Sequence, residues 1–400
     1  MLSWLAPLLV LGLVIFVHEL GHFLAAKWAG VYAPRFSLGW GKPLWGFRRG
    51  ETEYCISVAP IGGYVRMASR EDESASLLEG GPELVAANGA DGAVKPVAEV
   101  ERSRHWDEHS MIPHGPKPIP ADRWFESKPL YQRLVILLAG VFMNVVLAVV
   151  VTTGIFAWYG GGYLPAVVDS VIADRPAALA GMQTGDSIVA IDGAPVTRWD
   201  EVLTLVSAAP GRTLAVTVVR DGSPRTLAIT PEAQEIPTPP IGEIRTVGRI
   251  GVGPRGIPVR ERMGPLESVA AGWNLTWDMG GNVLAVLGGL LLGKVSVSQL
   301  GGPVEIARSS VEAAQSGAQT LWMLVAFLSI NLAILNLLPI PLLDGGQILF
   351  QLAEGAFRRS FPPMVKEWYA RIGLTAILLL FVTVTFNDLK RLVMGWFGGE

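Results

Sequence analysis

Four long apolar runs punctuate the chain, at about 2–26, 134–159, 321–343 and 372–386, and the second and third contain no charged residue. Crossing about 30 Å of hydrocarbon takes about 20 residues, so each run predicts a transmembrane helix. The fourth is short, but Trp368, Tyr369 and Trp396 flank it as interfacial anchors. The first lacks a basic leader and a small-residue cleavage site, and it carries His18, Glu19 and His22. It therefore reads as a retained helix rather than a signal peptide. A fifth run, Val283 to Gly293, is too short to span. With Trp273 and Trp277 it predicts an amphipathic segment lying in the interface.

Between these runs the texture changes. Phe36 to Met67 alternates apolar and polar residues with glycine turns and predicts strands. Strands beside a membrane need their backbone groups paired within protein, so a hairpin packed on the helices is expected. Residues 68–122 are polar and aperiodic, which predicts an irregular linker. Residues 160–236 alternate valine and isoleucine between Gly-Asp and Asp-Gly turns, and a proline-rich stretch at 233–263 reads as a second linker. The resulting organisation is a first helix (1–28), a membrane-associated β-hairpin region (29–67), a linker (68–130) and a second helix (131–159). An inserted α+β domain (160–236) and a linker with an interfacial helix (237–318) follow. A third helix (319–343), a loop (344–371) and a fourth helix (372–388) complete it. The predicted fold class is thus a multi-pass α-helical membrane protein with four spans.

Basic residues near the helix ends set the orientation. Lys27, Arg35, Lys128 and Arg133 lie between helices one and two, and Arg358, Arg359, Lys366 and Arg371 between three and four. Both loops are therefore expected in the cytoplasm, with the inserted domain and both termini outside. Composition adds exclusions. Half of the 400 residues are hydrophobic and 17% are charged, which excludes a disordered chain. Thirty-two basic against 35 acidic residues argue against a nucleic-acid binder. The single cysteine, Cys55, permits neither an intramolecular disulfide nor a cysteine zinc cage.

The candidate chemistry lies at His18-Glu19-Leu20-Gly21-His22. On a helix, i and i+4 share a face, so both imidazoles can reach one ion, and Glu19 is placed to take a proton from water. Ionisable groups inside an apolar helix cost at least ~2.5–3.5 kcal/mol each, and a zinc ion would compensate them. A zinc centre with a position open for water needs a third protein ligand. His105 and His109 repeat the spacing but lie in the polar linker. Asp344, after Pro339 and Pro341 and before Gly345-Gly346, is the better candidate, since a broken helix at membrane depth must line a polar cavity.

Two resemblances sharpen this picture. The phrase from Ala177 to Gly193, with its Gly185-Asp186 and Asp192-Gly193 turns, resembles a PDZ domain. HExxH in the first helix, this insert and Asn336-Leu-Leu-Pro339-Ile-Pro341-Leu-Leu-Asp344-Gly345 together resemble the site-2 protease family of intramembrane zinc metalloproteases, of the bacterial regulator-of-sigma-E type. The similarity extends to Pro60–Val65, which looks like that family's re-entrant hairpin. It also takes in Ala139-Gly140 with Asn144, and Gly301-Gly302-Pro303-Val304. The resemblance implies one zinc ion held by His18, His22 and Asp344, with Glu19 as the base. It implies that Asn331 and Asn336 handle the substrate backbone, and that Gly62, Gly63, Tyr64 and Val65 clamp an unwound substrate. The implied partners are transmembrane protein substrates in the lipid bilayer, such as anti-sigma factors already cut outside, with a peptide or C-terminus at the PDZ-like domain. The implied place is the bacterial inner membrane, with the active site near the cytoplasmic side. A non-catalytic membrane adaptor built around the PDZ-like domain is the alternative reading.

Overall fold

A computed structural model describes residues 3–69, 120–238, 243–256 and 258–397. It divides into two compact units, Met1–Val151 with Leu300–Glu400, and Thr152–Gln299. Among the described residues, four helices are long and apolar enough to cross a membrane: Ser3–Trp28, Leu130–Tyr159, Ala318–Leu337 and Met364–Met394. The body of the predicted linker, including His105 and His109, lies outside the described residues.

Helix α1 (Ala6–Trp28) opens the first unit and leads into strands β1 (Arg35–Arg49) and β2 (Thr52–Arg66). These pair antiparallel, with Arg49 opposite Thr52 and Phe47 opposite Tyr54. The start of β1 is paired twice: Phe36 lies beside both Tyr54 and Val65, and Leu38 beside both Ile56 and Gly63. The sheet therefore curls, and the Gly63–Arg66 end of β2 has its register partners on one side only. Phe36, Ala33 and Phe23 are buried together, with Leu20, Tyr54 and Val65 packed against them, and this joins the sheet to α1. The β1–β2 turn is tied down by Glu51. It accepts two hydrogen bonds of 2.7 Å from Arg123 and one of 2.6 Å from Lys27. Chiefly through the Arg123 bonds, its carboxyl is held down at about 2. Helix α2 (Leu130–Tyr159) follows, and its last turns belong to the second unit.

In the second unit a four-stranded antiparallel sheet runs β6-β5-β7-β8, formed by β5 (Ser187–Ile191), β6 (Ala194–Pro195), β7 (Leu214–Arg220) and β8 (Ser223–Ile229). Leu214, Val216 and Val218 are buried on alternate positions, as period two requires. Ahead of this sheet lie β3 (Gly161–Tyr163), β4 (Val168–Val171) and the single-turn helix α3 (Pro176–Leu179). Trp199, Val202 and Val206 of helix α4 (Trp199–Ser207) close the core. The helix starts sharply because Glu201 accepts the backbone N–H groups of Thr197 and Arg198 at 2.8 and 3.0 Å.

The segment 233–263, expected to be a linker, instead carries four strands. β9 (Glu232–Thr238) pairs with β10 (Glu243–Arg249), β11 (Val252–Pro254) with β4, and β12 (Val259–Glu261) with β3. Its prolines suit this placement: Pro237 and Pro254 sit in strands with a single partner, where a missing N–H is tolerated. The interfacial run, too, is longer than expected, being the end of helix α5 (Pro265–Leu291). Gly272 and Thr276 are buried beside Thr152, whose hydroxyl donates to the Gly272 carbonyl at 2.9 Å.

Asp186 is fully buried in this unit. It accepts two 2.7 Å bonds from Arg220 and one of 2.9 Å from the Gln183 N–H. Arg220 holds this carboxyl below its ordinary value. Its stabilising contribution is therefore full above about pH 4, the unfolded value, and is lost as pH falls through the lowered folded value. An Arg220→Met variant leaves that carboxylate without its charged partner. It should lose local stability at neutral pH, read as faster hydrogen exchange across residues 187–229.

The chain then returns to the first unit through α6 (Pro303–Ser316), α7 (Ala318–Leu337), α8 (Asp344–Phe357) and α9 (Pro363–Phe397). Helix α7 ends six residues before the expected 343. Leu338, preceding Pro339, is forced to an extended ψ of 143°, which stops the helix. The expected loop 344–371 is largely helical, and the last span is longer at both ends than 372–388.

Candidate metal centre

Two stretches more than 300 residues apart meet here. Helix α1 carries His18 and His22 one turn apart, with their Nε2 atoms 3.1 Å from each other. The break after α7 delivers Asp344 as the first residue of α8. Leu342 within the break has φ of +74°, a costly conformation for a branched side chain. Gly345 and Gly346 pack against the carbonyls of Leu337 and Ile340 too closely for any Cβ, so only glycine lets the chain double back here. Asp344 Oδ2 lies 3.2 Å from His18 Nε2 and 3.4 Å from His22 Nε2. These three are the residues whose ligand atoms converge into a metal-binding group among the described residues.

The donor set fits zinc on three grounds. A tetrahedral ion with ligand bonds of about 2.0–2.1 Å needs its ligand atoms about 3.3 Å apart, close to the separations found. Asp344 Oδ2 is buried without a hydrogen-bond partner. His22 donates from Nδ1 to the Ile136 carbonyl at 2.8 Å, so its Nε2 carries a lone pair aimed at that same carboxylate. Two buried acceptors face to face call for a cation. The wall opposite the imidazoles is Gly140 of α2. A Cβ there would fall 2.7 Å from His22 Cε1 and 2.8 Å from His18 Cε1, so the absent side chain is the room an ion would use.

Glu19 faces the sheet. Its carboxylate accepts the backbone N–H of Val65 and lies within electrostatic reach of both imidazoles and Asp344. Gly63 packs against it, with a Cβ there 3.0 Å from Glu19 Cγ. Gly62 adopts φ of +86° against the indole of Trp40, and Trp40 in turn lies on Tyr64 with ring centroids 5.3 Å apart. Of the two asparagines on α7, Asn336 reaches the site, its Nδ2 being 3.1 Å from His18 Nε2. Asn331 is half-buried, and the contacts around the imidazoles are made by Asn336 and Asn144. Asn144, fully buried on α2, places Nδ2 3.3 Å from His18 Nδ1, and Ser329 of α7 donates to its backbone carbonyl at 2.8 Å. Sequence reasoning assigned no role to Gly140 or Asn144. A lone asparagine in an uncharged apolar helix was the available signal.

The sequence profile described as "Peptidase family M50" matches residues 6–380. The chain belongs to peptidase family M50. It is a site-2-type zinc metalloprotease and a multi-pass membrane protein. Among its relatives is a putative zinc metalloprotease of Mesorhizobium japonicum, 34% identical over 97% of this chain and 99% of the relative. The regulator of sigma-W protease RasP of Bacillus subtilis is 30% identical over 98% and 99%. A putative zinc metalloprotease of Rhizobium meliloti is 31% identical over 96% of each chain.

Proposed function

We propose that this M50 peptidase cuts the membrane-spanning segments of other membrane proteins, with His18, His22 and Asp344 holding zinc and Glu19 as the catalytic base. The observation that carries the reading is the meeting of a helix-borne imidazole pair with a distant carboxylate inside a bundle of apolar helices. Bound zinc supplies Lewis acidity, polarising the scissile carbonyl and acidifying water. Glu19 takes the proton from the attacking water, whose oxygen bonds to the carbonyl carbon. Glu19 then returns that proton to the amine as the C–N bond breaks.

A transmembrane helix hides its amides in its own hydrogen bonds, so the substrate must unwind. The Gly62–Val65 edge of β2 suits capture of the unwound piece by strand addition, since that edge lies beside Glu19. Asn336, beside His18, is placed to bind the substrate backbone, and Asn331 is proposed to act further along the same helix. Trp40, Leu44, Trp45 and Val58 leave the sheet with an exposed apolar surface that suits contact with lipid acyl chains. The second unit is proposed to be a PDZ-like domain outside the bacterial inner membrane. There it binds a peptide or C-terminus, or excludes substrates whose outer domain is intact, and so enforces a prior cut. The site itself lies toward the cytoplasmic side.

The test is Asp344→Asn in purified protein. Zinc content should fall from one per chain to a small fraction, and cleavage of a single-pass substrate should stop. A variant that keeps wild-type cleavage ends this reading.

A further inference from the structure

We infer that Asn144 is a positioning residue that sets the tautomer of His18, its side-chain oxygen accepting the His18 Nδ1–H when zinc is bound. The inference rests on His18 being a ligand through Nε2, as proposed above. The two imidazoles are held differently. His22 has its Nδ1 fixed by a main-chain carbonyl, that of Ile136, at 2.8 Å. His18 has no such carbonyl, and what faces its Nδ1 is the Asn144 amide at 3.3 Å.

Nδ2 of that amide points at His18 Nδ1, and Oδ1 is buried without a hydrogen-bond partner. Both ring nitrogens of His18 face an amide, since Asn336 Nδ2 lies 3.1 Å from Nε2, and a neutral imidazole can accept from only one of them. Zinc bound through Nε2 requires that atom bare and Nδ1 protonated, and an Nδ1–H buried at this depth needs an acceptor. Half a turn of the amide brings Oδ1 to Nδ1. The backbone need not move, since Ser329 anchors Asn144 from α7. Asn144 can thus accept the Nδ1–H that zinc binding through Nε2 requires. Groups that orient a ligating histidine in this way typically change metal affinity about 10–100-fold when removed.

The experiment compares full-length wild type, Asn144→Leu and Asn144→Asp by equilibrium competition for zinc against a chelator. Leucine keeps the volume and cannot accept, so zinc affinity should fall about 10–100-fold. Aspartate accepts, so its affinity should stay within about threefold of wild type or exceed it. A leucine variant with wild-type affinity overturns the inference. So does an aspartate variant that loses as much as leucine, because packing alone would then be at stake. Independently of any variant at 144, imidazole nitrogen NMR of the zinc-loaded protein, with His105, His109 and His114 replaced by glutamine, should show His18 protonated at Nδ1. A bare Nδ1 overturns the inference even if the leucine variant does not fold. Failure of the underlying site assignment looks different, since a His18→Ala protein would then keep its full zinc affinity.

Discussion

Replacing Gly140 by alanine should empty the zinc site while leaving all three proposed ligands in the sequence. Gly140 sits on α2 where that helix crosses α1, and a methyl group there would lie against both imidazole rings. The helices have no slack to absorb it. Gly21 of α1 already approaches Ala139 and Gly140 so closely that a Cβ on it would sit 2.9 Å from Gly140 Cα. Either the rings rotate away from Asp344 or the helices part. Overpacking of this kind costs about 1–3 kcal/mol, and ring rotation destroys the convergence of donor atoms. Zinc affinity should fall at least as far as for loss of an orienting partner, about 100-fold, with cleavage lost in proportion. Gly12→Ala on α1, where nothing lies within 4 Å of the added carbon, is the control and should keep its zinc. A Gly140→Ala protein that binds zinc as tightly as wild type would falsify the geometry described for this wall.

Glu19→Gln should give the opposite separation: zinc retained at one per chain, and cleavage of a single-pass substrate reduced by about 10²–10⁴-fold or more. Glutamine matches the size of glutamate and can still accept the Val65 N–H through its amide oxygen, so the sheet stays docked on α1. What it cannot do is take a proton. Metal content measured beside the cleavage rate tells a base from a ligand. Loss of zinc together with activity would make Glu19 a ligand, and retention of both would remove it from the reaction.

The parts of this molecule legible in the sequence are those whose physics is local. Apolar runs long enough to cross a bilayer predicted the four spanning helices. The i, i+4 spacing of His18 and His22 predicted that their rings share a face. Asp344 was found by a less local argument, since prolines followed by paired glycines at membrane depth need a polar cavity to serve. The contacts that complete the site were not legible. His22 Nδ1 meets the Ile136 carbonyl and His18 Nδ1 meets the Asn144 amide, 114 and 126 residues away, and no periodicity connects such positions. The strands between Glu232 and Glu261 were misread because their prolines look like linker composition, whereas strands with one partner tolerate them. The end of α7 was misplaced because apolar composition continues through Leu343 after the proline-induced stop has already ended the helix.

Helix α9 touches both ends of this machinery. At one end the Tyr369 hydroxyl donates to the Gly346 carbonyl at 2.9 Å, and Gly373 abuts Pro341, bracing the turn that presents Asp344. At the other, the buried Asp388 accepts the backbone N–H groups of Gly302 and Glu305, both at 3.1 Å, at the start of α6. Thirty-five residues of continuous helix make a rod about 52 Å long. One continuous rod thus carries, at its two ends, the residue that holds the start of α6 and the residues that brace the turn presenting Asp344.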